Sequence, residues 1–85
     1  MVKAIMELTI ITPKGILCNL QVDKASFPGS QGIFTVMPNH APIMSTLRRG
    51  KIKYNAKGDA SEKEIEVEDG IVEVKHNKIW IFTEQ

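Results

Sequence analysis

The stretch EIEVEDGIVEVKHNKIWIF, residues 64–82, decides the fold, because apolar and polar residues alternate along most of it. A period of two is the pattern of a β-strand with one buried face and one solvent-exposed face. We predict a hairpin turn at Asp69-Gly70, since glycine adopts positive φ at no steric cost, and a second turn at His76-Asn77. The first hairpin places these pairs opposite each other: Glu68 and Ile71, Val67 and Val72, Ile65 and Val74, and Glu64 and Lys75.

The preceding strand extends this pattern across the loop at 56–61. We expect Ile52 to lie beside Ile65 and Lys53 beside Glu64, which completes a meander of four strands. A slip of one residue would invert both faces, so the agreement of the two patterns supports the register. The predicted core face comprises Ile52, Tyr54, Ile65, Val67, Val72, Val74, Ile79 and Ile81, and the wet face comprises Lys51, Lys53, Glu64, Glu66, Glu68, Glu73 and Lys75.

The N-terminal half is also predicted to form strands. Residues 6–12 alternate as one strand, whereas the apolar parity changes between Val22 and Ala25, which indicates a β-bulge near Asp23-Lys24. Phe34 and Val36 should point inward and leave Ile33 outward. With turn residues about every ten positions and an excess of Val, Ile and Thr over Ala and Leu, we predict an all-β fold. It is a single domain, residues 1–85: a two-sheet antiparallel β-sandwich, or flattened barrel, of about eight to ten short strands.

Composition excludes several classes of function. Eleven Lys and Arg residues against ten Asp and Glu residues leave a formal net charge of +1 among 85 residues. This is too small to provide the strong basic field of a nucleic-acid or membrane-surface binder. The single cysteine, Cys18, forbids an internal disulfide. No apolar run approaches the length of about 20 residues that spans a bilayer.

No pattern indicates catalysis, a cofactor or a metal. The four glutamates Glu62, Glu64, Glu66 and Glu68 share one strand face opposite lysines, which favours a solvated charge ladder over acid–base chemistry. The soft ligands Cys18, His40 and His76 lack the spacing of a zinc site. Gly29 to Gly32 reads as a turn, because no Gly-Lys-Ser/Thr follows it. A hydrolase using His40 with Asp23 or Glu7 is disfavoured, since no nucleophile motif accompanies them.

Two features favour docking to a partner. Ile71, Trp80 and Phe82 share the outward face in the predicted register, so they form a docking patch unless an N-terminal strand or loop covers them. In the segment from Met37 to Met44, two prolines four residues apart bar both helix and central strand. Such a segment either presents His40 in a fixed shape or is a stiff connector without a partner.

The order of motifs resembles a known family. Leu8-Thr9-Ile10-Ile11-Thr12-Pro13 is followed by Phe27-Pro28-Gly29-Ser30-Gln31-Gly32, then by Phe34 to Met44 and Leu47-Arg48-Arg49-Gly50, and finally by Asp69 to Val74 and Lys78 to Phe82. This sequence is similar to the N-terminal β-sandwich domain of the epsilon subunit of F-type ATP synthases, across nearly the whole chain. The glycine turn followed by a short strand and the loop from Pro38 to Pro42 is the most specific element.

The resemblance implies a non-catalytic rotor-stalk subunit that couples proton or sodium flow to ATP synthesis. Its implied partners are the gamma subunit, the c subunits of the rotor ring and the catalytic head. It would be a peripheral protein on the cytoplasmic face of the bacterial inner membrane, with no direct insertion and no nucleic-acid partner. The implied ring contacts are Gln31, Gly32, Ile33 and His40, and the implied gamma contacts are Pro42, Ile43, Ile71, Trp80 and Phe82. The alternative is a free-standing β-sandwich module that binds a peptide or a carbohydrate.

Three departures from the family pattern accompany the resemblance. Ile33 stands where relatives often have an acidic residue, so an apolar contact would replace a charged one. Asn39 replaces the usual glycine before His40, and asparagine tolerates left-handed backbone angles better than most residues. The family's C-terminal helical hairpin is absent from the sequence, so its braking and ATP-binding activities are not expected of this chain.

Overall fold

A computed structural model describes residues 5–84, which form eight β-strands. In chain order they are β1 (Met6–Thr12), β2 (Gly15–Gly29), β3 (Gly32–Val36), β4 (Ile43–Leu47), β5 (Gly50–Ala56), β6 (Lys63–Val67), β7 (Gly70–Lys75) and β8 (Lys78–Thr83). The predicted all-β class is confirmed.

The strands form a flattened barrel because β2 is long enough to belong to both of its sides. One side has the order β2-β1-β8-β7-β4, and a single pair, Gly29 with Leu47, returns β4 to β2. The other side is formed where the second half of β2 pairs with β3 and with β5, and β5 pairs with β6. The register of β2 with β5 shifts between Val22 and Lys24, which confirms the predicted bulge.

The inward side chains of both sides form one core. Its fully buried members with the largest volumes are Phe27, Met6, Leu8, Ile10, Ile52, Ile79 and Ile81. Of the predicted core face, all eight residues are buried or pack against this cluster. Phe34 and Val36 point inward and Ile33 outward, as predicted. A close-packed core of this kind moves as a unit and resists shear between the surfaces built on it.

The predicted hairpin at Asp69-Gly70 and the four-strand meander are wrong. Ile52 does lie opposite Ile65, and Lys53 opposite Glu64. However, β6 pairs with β5 alone in the described part of the chain, while β7 lies between β4 and β8. A two-residue hairpin needs positive φ at its turn, and neither Asp69 nor Gly70 has it. Residues 68–69 therefore carry the chain from one side of the barrel to the other.

The second predicted turn is confirmed. Lys75 pairs with Lys78, so His76 and Asn77 form a two-residue hairpin loop between β7 and β8. Their φ angles are 52° and 61°, and positive values at both positions define the type I′ turn that matches the twist of the flanking strands. A loop of the candidate site is hydrogen-bonded to this turn.

One strand pair departs from the antiparallel prediction. β1 runs parallel to β8, with Thr9 opposite Trp80 and Ile11 opposite Phe82. The alternation of apolar and polar residues predicts which face of the sheet a residue occupies, but it does not predict which strand lies beside it. The pairing of β1 with β8 could therefore not be predicted from that alternation. The pairing closes the barrel between the first and the last strand.

Candidate docking surfaces

The predicted patch of Ile71, Trp80 and Phe82 lies on the outside of the barrel. Ile71 is directly opposite Phe82 and Glu73 is opposite Trp80 in the β7–β8 pair. Ile71 is 44% exposed and Phe82 45% exposed, while Trp80 is half-buried. The alternative that an N-terminal strand covers them does not hold for β1, because it lies beside β8 in the same sheet and not over it.

The patch is wider than the sequence indicated. Ile11 stands opposite Phe82 across the parallel pair and lines the same surface depression as Ile71. On the far side, β4 adds Met44, which is 67% exposed and lies opposite Glu73. We call this surface the apolar face and define it as Ile11, Met44, Ile71, Trp80 and Phe82. Met44, Ile71 and Phe82 are exposed, whereas Ile11 and Trp80 are half-buried, and Glu73 lies between Met44 and Trp80. A cluster of partly exposed apolar side chains on a small domain indicates an interaction surface.

The other two residues expected at a gamma contact lie beside the apolar face, at the start of β4 and in the loop before it. Ile43 is half-buried and packs against the core, since its partner across the β4–β7 pair is the buried Val74. Pro42 is exposed in the loop before β4 and lines a depression with His40 and His76. Pro42 and Ile43 also line a depression with Met44 and Glu73, so they border the apolar face on its β4 side.

The expected ring contacts lie along a different part of the barrel. β3 is an edge strand, because β2 is its one partner among the described strands. The turn before β3 contains Gln31 and leads into Gly32, whose φ of 129° favours glycine. Ile33 follows and is 82% exposed. We call the turn at 30–31, the strand β3 and the loop at 37–42 together the β3 edge.

The two ends of the β3 edge are held by different neighbours. The turn is attached to β4, since the backbone N–H of Ser30 donates to the Thr46 carbonyl at 3.0 Å and their hydroxyls are 2.6 Å apart. The loop at 37–42 is attached instead to the β7–β8 turn through Asn39 and Asn77. Ile33 and His40 thus belong to one continuous edge, and the rest of β3 separates them along the chain.

His40 is held in a defined orientation within the loop. Its backbone N–H donates to the Met37 carbonyl at 3.2 Å, and its Nδ1 lies 2.7 Å from the Ala41 carbonyl oxygen. A carbonyl oxygen only accepts, so Nδ1 carries the proton in this hydrogen bond. In the neutral ring, Nε2 is then left as an acceptor for a partner. Asn39 has a φ of 69°, which confirms that asparagine can serve at this position.

Two glutamates of the ladder, Glu64 and Glu68, form ion pairs with basic side chains. Lys51 lies 3.4 Å and Lys53 4.0 Å from the carboxylate of Glu64, and Arg49 lies 3.8 Å from Glu68. All of these side chains are largely exposed, so each pair contributes little to stability. The structure thus supports the interpretation of these glutamates as a solvated charge ladder.

Two groups have perturbed acidity. Hydrogen bonds from the hydroxyl and the backbone N–H of Ser61, at 2.6 and 2.9 Å, lower the pKa of Asp59. Partial burial raises the pKa of the Cys18 thiol, which packs against the core. Within residues 5–84, no group of three or more His, Cys, Asp or Glu side chains could hold a metal ion, and no helix could cross a membrane.

The chain is similar to proteins of one known family. The family model described as "ATP synthase, Delta/Epsilon chain, beta-sandwich domain" matches residues 5–85. An ATP synthase epsilon chain of Leptospira borgpetersenii is 40% identical over 79 residues, which are 93% of this chain and 61% of that protein. The ATP synthase epsilon chain of Chlorobium limicola is 35% identical over 78 residues, which are 92% of this chain and 88% of that protein. The chain thus spans about three fifths of the Leptospira relative and most of the Chlorobium one.

Solved structures show the same fold. A chain in the mitochondrial ATP synthase of Euglena gracilis, resolved as an OSCP/F1/c-ring assembly, superimposes with a TM-score of 0.88 at 16% identity and covers all of this chain and 54% of its own length. A chain from the central stalk and c-ring of the Tetrahymena thermophila enzyme gives a TM-score of 0.79 at 17% identity, covering all of this chain and 67% of its own. Because the family model matches residues 5–85 and the Chlorobium relative is 35% identical over most of both chains, this chain belongs to the family of ATP synthase delta/epsilon-chain β-sandwich domains.

Proposed function

We propose that this protein is a non-catalytic subunit of the central stalk of an F-type ATP synthase. In this proposal it couples ion flow through the membrane ring to ATP synthesis in the catalytic head, as a peripheral protein on the cytoplasmic side of a bacterial membrane. It does so by rigid docking and not by chemistry. The membership in the epsilon family supports the complex, and the geometry of the barrel supports the mechanism.

One observation carries the mechanism: a single core bears two exposed surfaces. The apolar face lies on the side formed by β1, β8, β7 and β4, whereas strand β3, which contains Ile33, lies on the side formed around the second half of β2. The loop at 37–42 continues from β3 and is hydrogen-bonded to the β7–β8 turn. Force applied at one surface reaches the other through close-packed side chains, which have little room to yield. We assign the apolar face to the gamma subunit and the β3 edge to the c subunits of the ring.

The chemistry of each surface fits its assignment. The apolar face includes Trp80 and Phe82, and aromatic side chains dominate the binding energy of stable interfaces. The β3 edge presents Ile33, Met37 and the imidazole of His40, together with the exposed backbone of an edge strand. These side chains offer apolar contacts through Ile33 and Met37 and a polar contact through His40 to the c subunits.

The experiment combines Ile33→Asp with His40→Ala and measures ion-driven ATP synthesis in reconstituted vesicles. We expect coupling to fall while the domain stays folded, because Ile33 is 82% exposed and the loop at His40 lies outside the core. Ala60→Asp is the matched control, since it adds the same charge at an exposed loop residue away from both surfaces. Unchanged synthesis in the double variant would contradict the assignment of the β3 edge.

Recovery of partners distinguishes this proposal from a free-standing module for a peptide or a carbohydrate. The tagged chain, added to membranes of its own organism, should recover the gamma and c subunits. Recovery of neither, together with binding of a peptide or a sugar at the apolar face, would favour the free-standing module.

A further inference from the structure

The loop that presents His40 is attached to the rest of the barrel by a pair of asparagine side chains. The backbone N–H of Asn39 donates to Oδ1 of Asn77 at 2.6 Å, and Nδ2 of Asn77 donates to Oδ1 of Asn39 at 3.2 Å. Both residues have left-handed backbone angles, with φ of 69° and 61°. The two amides thus form a reciprocal clamp between residues 38 positions apart in the chain.

The loop has few other polar contacts that could hold it. Pro38 and Pro42 carry no backbone N–H, and the loop is not part of a strand. The backbone N–H and the Nδ1 of His40 donate to the carbonyl oxygens of Met37 and Ala41, so both bonds are internal to the loop. The clamp therefore joins the loop to another element, whereas these bonds shape the loop itself.

Asn77 is itself tied to the first strand. Its carbonyl oxygen accepts a hydrogen bond from the backbone N–H of Glu7 at 2.9 Å, at the start of the parallel β1–β8 pair. The β7–β8 turn thus connects to β1 on one side and to the His40 loop on the other. The strands β1, β7 and β8, which this turn connects, carry most of the apolar face on their outer side.

We propose that Asn77 is a positioning residue for His40. Its side chain fixes the loop at 37–42 on the strands that carry the apolar face, so that the imidazole is presented in one orientation. A loop already ordered in its bound shape loses less conformational freedom on docking. The proposal rests on the proposed function only for the identity of what the loop docks to.

The clamp can be tested in the free 85-residue chain by measuring hydrogen exchange of the backbone N–H of Asn39. Asn77→Gly keeps the left-handed backbone but removes both hydrogen bonds of the Asn77 side chain. The control, His76→Gly, places glycine at the neighbouring left-handed position of the same turn and leaves the clamp intact. We expect exchange of the Asn39 N–H to rise about tenfold or more in Asn77→Gly and to change less than twofold in His76→Gly. Equal effects of the two variants would overturn the proposal.

Two further variants separate the two bonds. Asn77→Asp keeps an acceptor for the Asn39 N–H but cannot donate to Oδ1 of Asn39, and Asn39→Gly keeps the N–H but loses Oδ1. Both should retain most of the protection of the residue-39 amide. If either variant exchanges as fast as Asn77→Gly, the short 2.6 Å bond is not what holds the loop.

The consequence for docking is measured with detergent-purified c-ring. Asn77→Gly should raise the Kd about tenfold relative to His76→Gly, because the loop must then be ordered on binding. An equal Kd for the two variants would overturn the positioning role even if the exchange result holds. If the unaltered chain does not bind the ring at all, the proposed function fails, and the exchange experiment in the free chain still decides the clamp.

Discussion

Replacing Phe82 with serine should weaken binding to the gamma subunit about thirtyfold. The side chain is 45% exposed in the free chain, which for an aromatic residue of about 200 Å² leaves about 90 Å² to be buried on docking. At about 25 cal/mol per Å², this area is worth about 2 kcal/mol, and each 1.4 kcal/mol is a factor of ten in Kd.

The same substitution also removes the packed part of the ring. The remaining area of about 110 Å² corresponds to at most about 3 kcal/mol of folding stability. A control must therefore lose comparable stability without touching the apolar face. Ile65→Ala fulfils this, because Ile65 packs against the core from β6, on the other side of the barrel.

The assay is titration calorimetry of each folded variant with the cognate gamma subunit, after thermal unfolding has been followed by circular dichroism. We expect Phe82→Ser to raise the Kd about thirtyfold and Ile65→Ala to leave it within about twofold at equal folded concentration. Equal losses of affinity in both variants would show that stability alone explains the effect, and an unchanged Kd for Phe82→Ser would refute the role of the apolar face.

Three other predictions follow from local geometry. Gly70→Ala should lower the free energy of unfolding by about 2–3 kcal/mol in a urea titration. An added Cβ would clash with the carbonyl oxygen of Phe82, and both groups belong to paired strands that cannot separate without breaking hydrogen bonds. A loss below about 1 kcal/mol would contradict this close approach. Ser61→Ala should raise the pKa of Asp59 toward its ordinary value in an NMR titration, since the two hydrogen bonds from Ser61 favour the ionised carboxylate. The hydroxyl bond is lost while the backbone bond remains, so no change at all would refute that cause. Burial raises the pKa of Cys18 in the folded state, so iodoacetamide at pH 8 should alkylate the thiol more slowly in the native chain than in urea. For the same reason, the free energy of unfolding should decline as the pH rises above the pKa of the unfolded thiol. Equal alkylation rates in the two states would contradict the burial.

Alternation along the chain was sufficient to predict the inward and outward faces. Apolar parity placed Val72 and Val74 in the core and Ile71 outside, and its break between Val22 and Ala25 located the bulge. These inferences succeed because a strand residue's face depends on its position in the strand alone. They hold even where the predicted partner strand was wrong.

Strand neighbours were not predictable in the same way. The dipeptide Asp69-Gly70 is a strong hairpin signal, but Gly70 serves another purpose: it lets β7 approach the backbone of Phe82 on β8. Likewise, no local sequence pattern predicts that β1 pairs in parallel with β8. Both facts depend on contacts between residues far apart in sequence, and they decide how far the apolar face extends.

The candidate site was predictable in part. Exposure of Ile71 and Phe82 followed from parity, and the left-handed Asn39 followed from the residue's tolerance of that conformation. Ile11 and Met44 were missed because their place on the apolar face depends on neighbours of β8 and β7. The hydrogen bonds between Asn39 and Asn77 were also missed. An asparagine in the sequence indicates a turn, but it does not indicate which distant residue its side chain contacts.

The central claim is that one rigid barrel docks through two surfaces on two different partners. Its most direct test places the photo-crosslinker p-benzoylphenylalanine at position 82 or at position 33 and irradiates native membranes that contain the assembled enzyme. The account predicts that the probe in place of Phe82 crosslinks to the gamma subunit and the probe in place of Ile33 to a c subunit. Crosslinks from both positions to the same subunit, or an exchange of the two partners, would contradict it.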